Sequence, residues 1–186
     1  MRRLGALASS LAALGVMASA SARAEPVTCF RSEQYFVAAT ANETNGSSLA
    51  VKALQDKAAS PPCVYDAGRA DYVLFDKGDD ADEPKQLVGK DMILELGLSP
   101  DVELVVVDLS TRRKVIDVQA NEYAVSSDSL VYWERVRRAT AKDCPDFAKL
   151  RRNDLGEWIS MKRAFSFATG KIARFPDKKC EATQGF

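Results

Sequence analysis

The sequence of 186 residues contains no histidine, and this absence excludes several kinds of catalytic site. Histidine is the side chain whose unperturbed pKa lies closest to neutrality, so it serves in Ser-His-Asp triads, Cys-His dyads and HExxH zinc sites. The sequence also lacks a glycine-rich phosphate loop and a nucleophile elbow. Any catalysis would depend on carboxylates, lysine, tyrosine or a thiol. We expect no metal and no cofactor, and the sequence favours a protein that is not an enzyme.

Long hydrophobic runs are also scarce, and the longest one stands at the amino terminus. Residues 1–24 combine a basic start at Arg2 and Arg3, an apolar run rich in alanine and serine, and an Ala-x-Ala sequence that ends at Ala24. These are the three parts of a secretory signal peptide. The run is too interrupted for a membrane anchor, since a spanning helix needs about 20 predominantly apolar residues. We predict cleavage after Ala24.

The predicted mature chain, residues 25–186, has the size of one domain. Position 25 is a glutamate rather than a cysteine that could carry a lipid, and no later run is long and apolar enough to span a bilayer. We therefore expect a single periplasmic or secreted domain of bacterial type, with no lipid anchor and no transmembrane segment.

An excess of positive charge is missing as well. The chain has 26 basic and 26 acidic residues, and the leader holds three arginines and no acidic residue. The mature domain is thus slightly acidic, whereas nucleic acids attract proteins through a positive field. We expect no nucleic-acid partner, and we interpret the basic clusters, such as residues 135–138, as solvated faces.

Four cysteines are present, and their spacing excludes a C-x-x-C redox or zinc motif. An even number of cysteines in an exported domain predicts two disulfides. Three pairings are possible. We predict the sequential one, Cys29 with Cys63 and Cys144 with Cys180, because it closes two loops of similar length. The nested pairing, which would join the two ends of the domain, stays open.

Strand patterns dominate the mature sequence. Residues 102–109 are rich in valine and apolar on both faces, which predicts a central strand. Residues 92–98 alternate, with Met92 and Leu94 on one face and Glu95 on the other. Further strands are predicted at residues 34–40, 72–75, 116–120 and 159–167. The expected fold class is mainly β, with antiparallel hairpins that form a sheet, a sandwich or an open barrel, one or two short helices and two disulfides.

Helix signals are few. Residues 49–59 are rich in alanine, leucine, lysine and glutamine, follow two serines and precede Pro61 and Pro62, which predicts a helix. Pro145 favours a short second helix over residues 146–152. Two segments, 109–115 and 167–172, resemble each other as hairpins. Four-stranded propeller blades contain such turns, but a propeller needs about four to eight blades, so we interpret the segments as two ordinary hairpins rather than an internal repeat.

No motif defines a binding residue, and the candidates are three aromatic residues. Tyr132 and Trp133 are adjacent on a predicted strand, so their side chains point to opposite faces. One of them is expected in the core, and the other could bind a glycan or a protein partner. Trp158 is a similar candidate. Plain core packing of these side chains is the alternative.

Carboxylates are the remaining candidates for chemistry. A pair of them could cleave a glycosidic bond, and the glutamates on predicted strands or near them are Glu95, Glu103, Glu122, Glu134 and Glu157. With 26 acidic residues in the chain, some pair will always be close, so surface charge is the simpler interpretation. The acidic run at residues 76–83 lacks the ligand order of a calcium loop and is interpreted as an exposed polar loop.

Several short segments together resemble a group of small exported bacterial β-rich proteins of uncharacterised function. The similar segments, which span about residues 60–184, are 63–65, 93–97, 104–109, 114–115, 132–133 and 169–171, with Cys144 and Cys180. The resemblance implies a compact secreted domain and carries no activity, ligand or catalytic residue.

The sequence therefore predicts a non-catalytic periplasmic domain that binds a protein or another envelope component, such as a glycan. The alternative is a carboxylate-based hydrolase that acts on cell-wall or other glycans. A third hypothesis, a redox protein, would require an accessible thiol of low pKa.

Overall fold

The computed structural model describes residues 26–41, 46–75, 82–97, 102–152 and 155–184. These residues form a mainly β fold with one short helix, α1 (Phe147–Arg152), and a single 3-10 turn, Ala67–Arg69. The strands are β1 (Val27–Arg31), β2 (Tyr35–Ala41), β3 (Ser47–Ala53), β4 (Tyr72–Leu74), β5 (Asp82–Val88), β6 (Asp91–Leu96), β7 (Glu103–Asp108), β8 (Arg113–Gln119), β9 (Tyr123–Val125), β10 (Ser129–Arg138), β11 (Leu155–Ser166) and β12 (Lys171–Gln184).

The strands form three sheets, each made of four consecutive antiparallel strands. We call β1–β4 the first sheet, β5–β8 the second and β9–β12 the third. In every sheet the strand order follows the chain order, so neighbouring strands are joined by local turns or loops. The predicted fold class is therefore confirmed, and the arrangement is a set of stacked sheets.

The second sheet lies between the other two. One of its faces packs against the first sheet, where Val37 and Leu49 meet Met92, Leu94 and Val105. The opposite face packs against the third sheet in a separate core cluster, whose members are Ile93, Leu104, Val106, Ile116, Ala120, Leu130, Tyr132 and Phe165. Burial on both faces explains the apolar run at residues 104–107 of β7, because side chains on each face of the strand enter a core.

The predicted central strand at residues 102–109 is confirmed as β7, whose residues 104–108 are all buried. The prediction for residues 92–98 placed the apolar side chains on one face alone. In β6, however, Ile93 is as buried as Met92 and Leu94, and it contributes to the core on the opposite side. Residue 98 lies outside the described residues.

The predicted helix at residues 49–59 is wrong. This segment begins with β3, in which seven residues pair with β2 from Tyr35↔Ala53 to Ala41↔Ser47. Leu49 and Val51 alternate with polar or small neighbours and are fully buried against the second sheet. Tertiary packing of that face outweighs the helix propensity of alanine and lysine, which amounts to less than about 1 kcal/mol per residue. The second predicted helix is confirmed as α1.

The two disulfides join Cys29 to Cys63 and Cys144 to Cys180, with Cα–Cα distances of 5.7 Å in both, so the sequential pairing is confirmed. The first holds the loop between β3 and β4 over the outer face of the first sheet, where Phe36, Ala38 and Ala50 form a small core cluster. The second holds the segment that contains α1 against β11 and β12, beside Ile159.

The two similar hairpins occupy equivalent places in the fold. Residues 109–112 connect β7 to β8, and residues 167–170 connect β11 to β12. Each is therefore the turn between the third and fourth strands of a four-stranded sheet. We interpreted the two similar segments as ordinary hairpins. In the structure they stand at the same position of two four-stranded units that have the same strand order. Arg112 and Gly170 have positive φ angles of 59° and 64°, and in the second turn a glycine meets that requirement without a Cβ penalty.

Tyr72 links the first two sheets with a half-buried polar contact. Its hydroxyl group donates a hydrogen bond to the carbonyl oxygen of Leu109, and the guanidinium of Arg112 lies 4.2 Å from the centre of its ring. Replacement by phenylalanine keeps the ring and leaves the carbonyl without its partner. We expect Y72F to lower the free energy of unfolding by about 1 kcal/mol, measured by urea denaturation. A value equal to the wild type would show that water replaces the hydroxyl group.

Candidate functional site

The three aromatic candidates are divided between the core and the surface of the third sheet. Tyr132 is 2% exposed and packs against the second sheet. Trp133, its neighbour on β10, points to the opposite face and is only half-buried. Trp158 on β11 is also half-buried, and it shares that face because it alternates along the strand with Lys162, which pairs with Trp133.

The outer face of the third sheet is rich in cations and aromatic rings. Lys162 of β11 pairs in register with Trp133 of β10. Ser160, two residues before Lys162 on the same face of β11, pairs with Lys179 of β12. We call this surface the cationic face and define it by Trp133, Arg135, Arg138, Trp158, Lys162, Phe175 and Lys179. Its three aromatic residues belong to none of the core clusters that the described residues form.

Each aromatic ring on the cationic face lies under at least one cation. The guanidinium carbons of Arg138 and Arg135 are 4.5 Å and 5.4 Å from the centre of the Trp158 ring. The Lys179 ammonium is 4.8 Å from the centre of Trp133, and the Lys162 ammonium is 5.8 Å from that of Phe175. Such contacts hold the long side chains in place without neutralising their charge. The face therefore presents ordered positive charge.

Acidic groups lie at one side of this face. Lys179 bridges the carboxylates of Glu122 and Glu181, with 2.7 Å to each, and Glu181 accepts a 2.6 Å hydrogen bond from the hydroxyl of Ser160. Arg138 and Lys162 have no carboxylate partner among the described residues. The net charge of the face is therefore positive.

An open pocket of about 600 Å³ adjoins Trp133 at the edge of the third sheet. Its polar walls include Glu95 of β6 and Tyr123 of β9. The Tyr123 hydroxyl donates a 2.7 Å hydrogen bond to Glu95, and the Lys85 ammonium lies 2.8 Å from the same carboxylate. These contacts keep the pKa of Glu95 below its usual value although partial burial acts in the other direction. Glu95 is therefore ionised and occupied by partners of its own.

The other predicted glutamates are also engaged in the fold. Glu134 accepts a 2.7 Å bond from the guanidinium of Arg163, and Glu122 is paired with Lys179. The side chain of Glu103 forms a hydrogen bond with the side chain of Asp117. This hydrogen bond is the main cause that lowers the pKa of Asp117. Glu157 is buried on β11. These five side chains are spread over the second and third sheets and do not form one catalytic pair.

The first sheet carries a smaller apolar pocket of about 220 Å³ on its outer face. Its walls are Phe36, Ala38 and Ala50 of the sheet together with Pro61, Pro62 and Val64 of the loop that the Cys29–Cys63 disulfide holds. Pro61 and Pro62, which were expected to end a helix, instead cover this pocket. Ala70 and three charged residues, Lys52, Asp66 and Arg69, complete the lining.

Some features of the cationic face were missed by sequence reasoning. Phe175 and Lys179 were not singled out, because the strand that contains them, β12, was not predicted. Lys162 lies on the strand predicted at residues 159–167, but no role was assigned to it. The basic cluster at residues 135–138 was interpreted as a plain solvated face. The alternation Trp158, Ser160 and Lys162 along β11 is the signal that could have identified a polar, aromatic outer face.

No family model, curated protein or solved structure matches this chain. Among the residues that the structure describes, no helix is long and apolar enough to cross a membrane. In the same part of the chain no group of three or more cysteine, aspartate or glutamate side chains is arranged to hold a metal ion. The acidic run predicted as an exposed loop falls mostly on residues 76–81, which lie outside the described residues.

Proposed function

We propose that this protein is a non-catalytic binding module that binds an anionic glycan of the cell envelope through the cationic face. The observation that carries this proposal is the combination of three aromatic rings and four ordered cations on one face of the third sheet. An open sheet face suits a polymer, which can lie across several side chains at once.

The chemistry of the face matches a sugar chain that carries carboxylate or phosphate groups. Arginine binds such groups with paired hydrogen bonds, and lysine binds them as a point charge. Tryptophan offers an amphipathic ring for the apolar face of a sugar. Arg138 is exposed and is held over Trp158 at 4.5 Å, so one anionic sugar could contact both side chains.

The location that we propose is the periplasm or the secreted space. Residues 1–24 have the organisation of a signal peptide with cleavage after Ala24. Both disulfides fit this location, because such bonds persist in oxidising compartments. They also occupy all four cysteines, which leaves no thiol for the redox hypothesis.

The alternative function, a carboxylate-based glycan hydrolase, has less support. A hydrolase of that kind needs a general acid whose pKa is raised and a second carboxylate across a cleft. Glu95 is instead held ionised by Lys85 and Tyr123, and Glu134 is bound by Arg163. Binding without catalysis therefore agrees better with these contacts.

The test measures binding of an oligogalacturonate, a carboxylated glycan, by isothermal titration calorimetry at low salt. We expect the R138E/K162E variant to lose at least about tenfold in affinity, because two attractive charges become repulsive. The matched control is K52E/R113E, which reverses two exposed cations on β3 and β8 and should bind within about twofold of the wild type. W158A should also weaken binding, since it removes the ring beneath Arg138.

Two results would overturn the proposal. An equal loss in both charge-reversal variants would show that overall charge rather than the cationic face controls binding. Tighter binding of a single-stranded oligothymidylate than of the oligogalacturonate would identify a nucleic-acid surface instead, since stacked bases and phosphates use the same groups.

A further inference from the structure

A third pocket lies where turns from all three sheets converge, away from the cationic face. Its volume is about 390 Å³. The lining residues come from the turns β1–β2, β5–β6, β9–β10 and β11–β12 and from the strand ends beside them; those used below are Val88, Lys90, Asp91, Asp128, Phe167 and Ala168. The first three of these turns hold the same place in their sheets, so the pocket is a product of the repeated topology.

Asp91 is the unusual residue of this pocket. It is 2% exposed, yet its carboxyl group accepts no hydrogen bond from any described residue. Buried carboxylates in proteins are normally paired, because leaving one unpaired costs several kcal/mol. Asp91 is one of the residues that line the pocket, so a ligand there could supply the missing partner.

The nearest cation is already engaged elsewhere. The Lys90 ammonium binds Asp108, which sits directly opposite Asp91 on β7. Asp108 also accepts hydrogen bonds from the amides of Ser110 and Thr111 and from the Ser110 hydroxyl. Ser110 and Thr111 belong to the turn between β7 and β8, and their donors bind Asp108 rather than Asp91. Asp91 is therefore left with a negatively charged neighbour and no cation of its own.

We propose that this pocket binds a ligand that carries a primary ammonium group on an alkyl chain. The ammonium would lie against the Asp91 carboxylate, with Asp128 as a second negative charge at the exposed rim. The half-buried side chains of Val88 and Phe167, with Ala168, offer apolar walls for the alkyl chain. A free polyamine and a lysine side chain of a peptide share this chemistry.

The charged groups around Asp91 give the binding a pH dependence. Burial and the opposing Asp108 raise the pKa of Asp91 to about 6, while Lys90 acts in the opposite direction. Asp128 adds negative charge from the third sheet. Below that pKa the carboxyl group is protonated and offers no charge to the ligand, so affinity should fall about tenfold for each further pH unit.

The experiment titrates the full mature chain with cadaverine, the diamine of pentane, and follows backbone amides by NMR. We expect saturable shifts at Gly89, Lys90, Ser127 and Phe167, with at least tenfold weaker binding at pH 4.5 than at pH 7.5. D91N should lose at least tenfold in affinity at pH 7.5. The matched control is D177N, an exposed aspartate on β12, which should bind like the wild type.

Two further ligands complete the test. Tighter binding of Nα-acetyl-lysine methylamide than of cadaverine would identify a lysine side chain as the source of the ammonium group, and the reverse would identify a free polyamine. The proposal is overturned if 1-pentanol binds as well as cadaverine, if D91N keeps full affinity, or if cadaverine shifts none of these amides. None of these results depends on the cationic face, so the glycan proposal is tested separately.

Discussion

The C144A/C180A variant is expected to unfold with a free energy about 4 kcal/mol lower than the wild type, because the lost disulfide closes a long loop. The two cysteines are separated by 36 residues, and their bridge holds the α1 segment against β11 and β12. Without it, the unfolded chain regains the entropy of loop closure. Urea denaturation of the oxidised proteins, followed by circular dichroism, measures the difference.

The C29A/C63A variant serves as the comparison, since its loop of 34 residues predicts a loss of similar size. Chemical reduction of the wild type should lower stability further than either variant does. A C144A/C180A protein as stable as the wild type would contradict the prediction and would show that the packing of Ile159, Phe147 and Ala139 alone holds the α1 segment.

The D91N variant should be more stable than the wild type by about 3 kcal/mol at pH 8 and equally stable near pH 3. The pKa of Asp91 is about 6 in the folded protein, compared with the ordinary value of 3.8 that applies to the unfolded chain. A raised pKa means that folding favours the protonated form, so the wild type loses stability as pH rises from about 4 to 6. Asparagine carries no charge and avoids that loss.

The measurement is the free energy of unfolding of both proteins at several pH values between 3 and 8. D128N is the control, since Asp128 borders the same pocket but is exposed, and its replacement should change stability little at any pH. A D91N curve parallel to that of the wild type would show that Asp91 is solvated or partnered in solution. The added stability also ensures that weak ligand binding by D91N cannot be attributed to unfolding.

The strands were predictable wherever burial left a simple pattern. Residues 104–107 of β7 are all apolar, and this pattern predicted a central strand before any contact was known. Similar loop lengths favoured the sequential disulfide pairing, and the structure decides between it and the nested one. The number of sheets could not be predicted from the sequence. Met92 and Ile93 are both apolar, and no local pattern shows that they pack against different sheets.

The failed helix at residues 49–59 has the same origin. Its alanines and lysine are good helix formers, and only the alternation of Leu49 and Val51 argued for a strand. The strand forms because packing against the second sheet buries the side chains of Leu49 and Val51. A distant segment of the chain thus decides the local structure.

The candidate sites depend even more on distant parts of the chain. Trp133 and Trp158 were visible as aromatic residues, but the cations over their rings come from β10 and β12, which the sequence does not bring together. No sequence pattern singled out Asp91, because its position opposite Asp108 depends on the register between β6 and β7. Pairing of like charges across strands leaves no mark in a local pattern.

The two outer surfaces of the stack have opposite consequences for self-association. On the first sheet a disulfide-held loop covers the outer face, so a further sheet has no flat surface to join. On the third sheet the outer face stays open, but Arg138 and Lys162 would repel an identical face of another molecule. Contacts that repeat head to tail build filaments. The disulfide-held loop opposes such contacts sterically, and the charge of the cationic face opposes a pair in which two third sheets meet face to face.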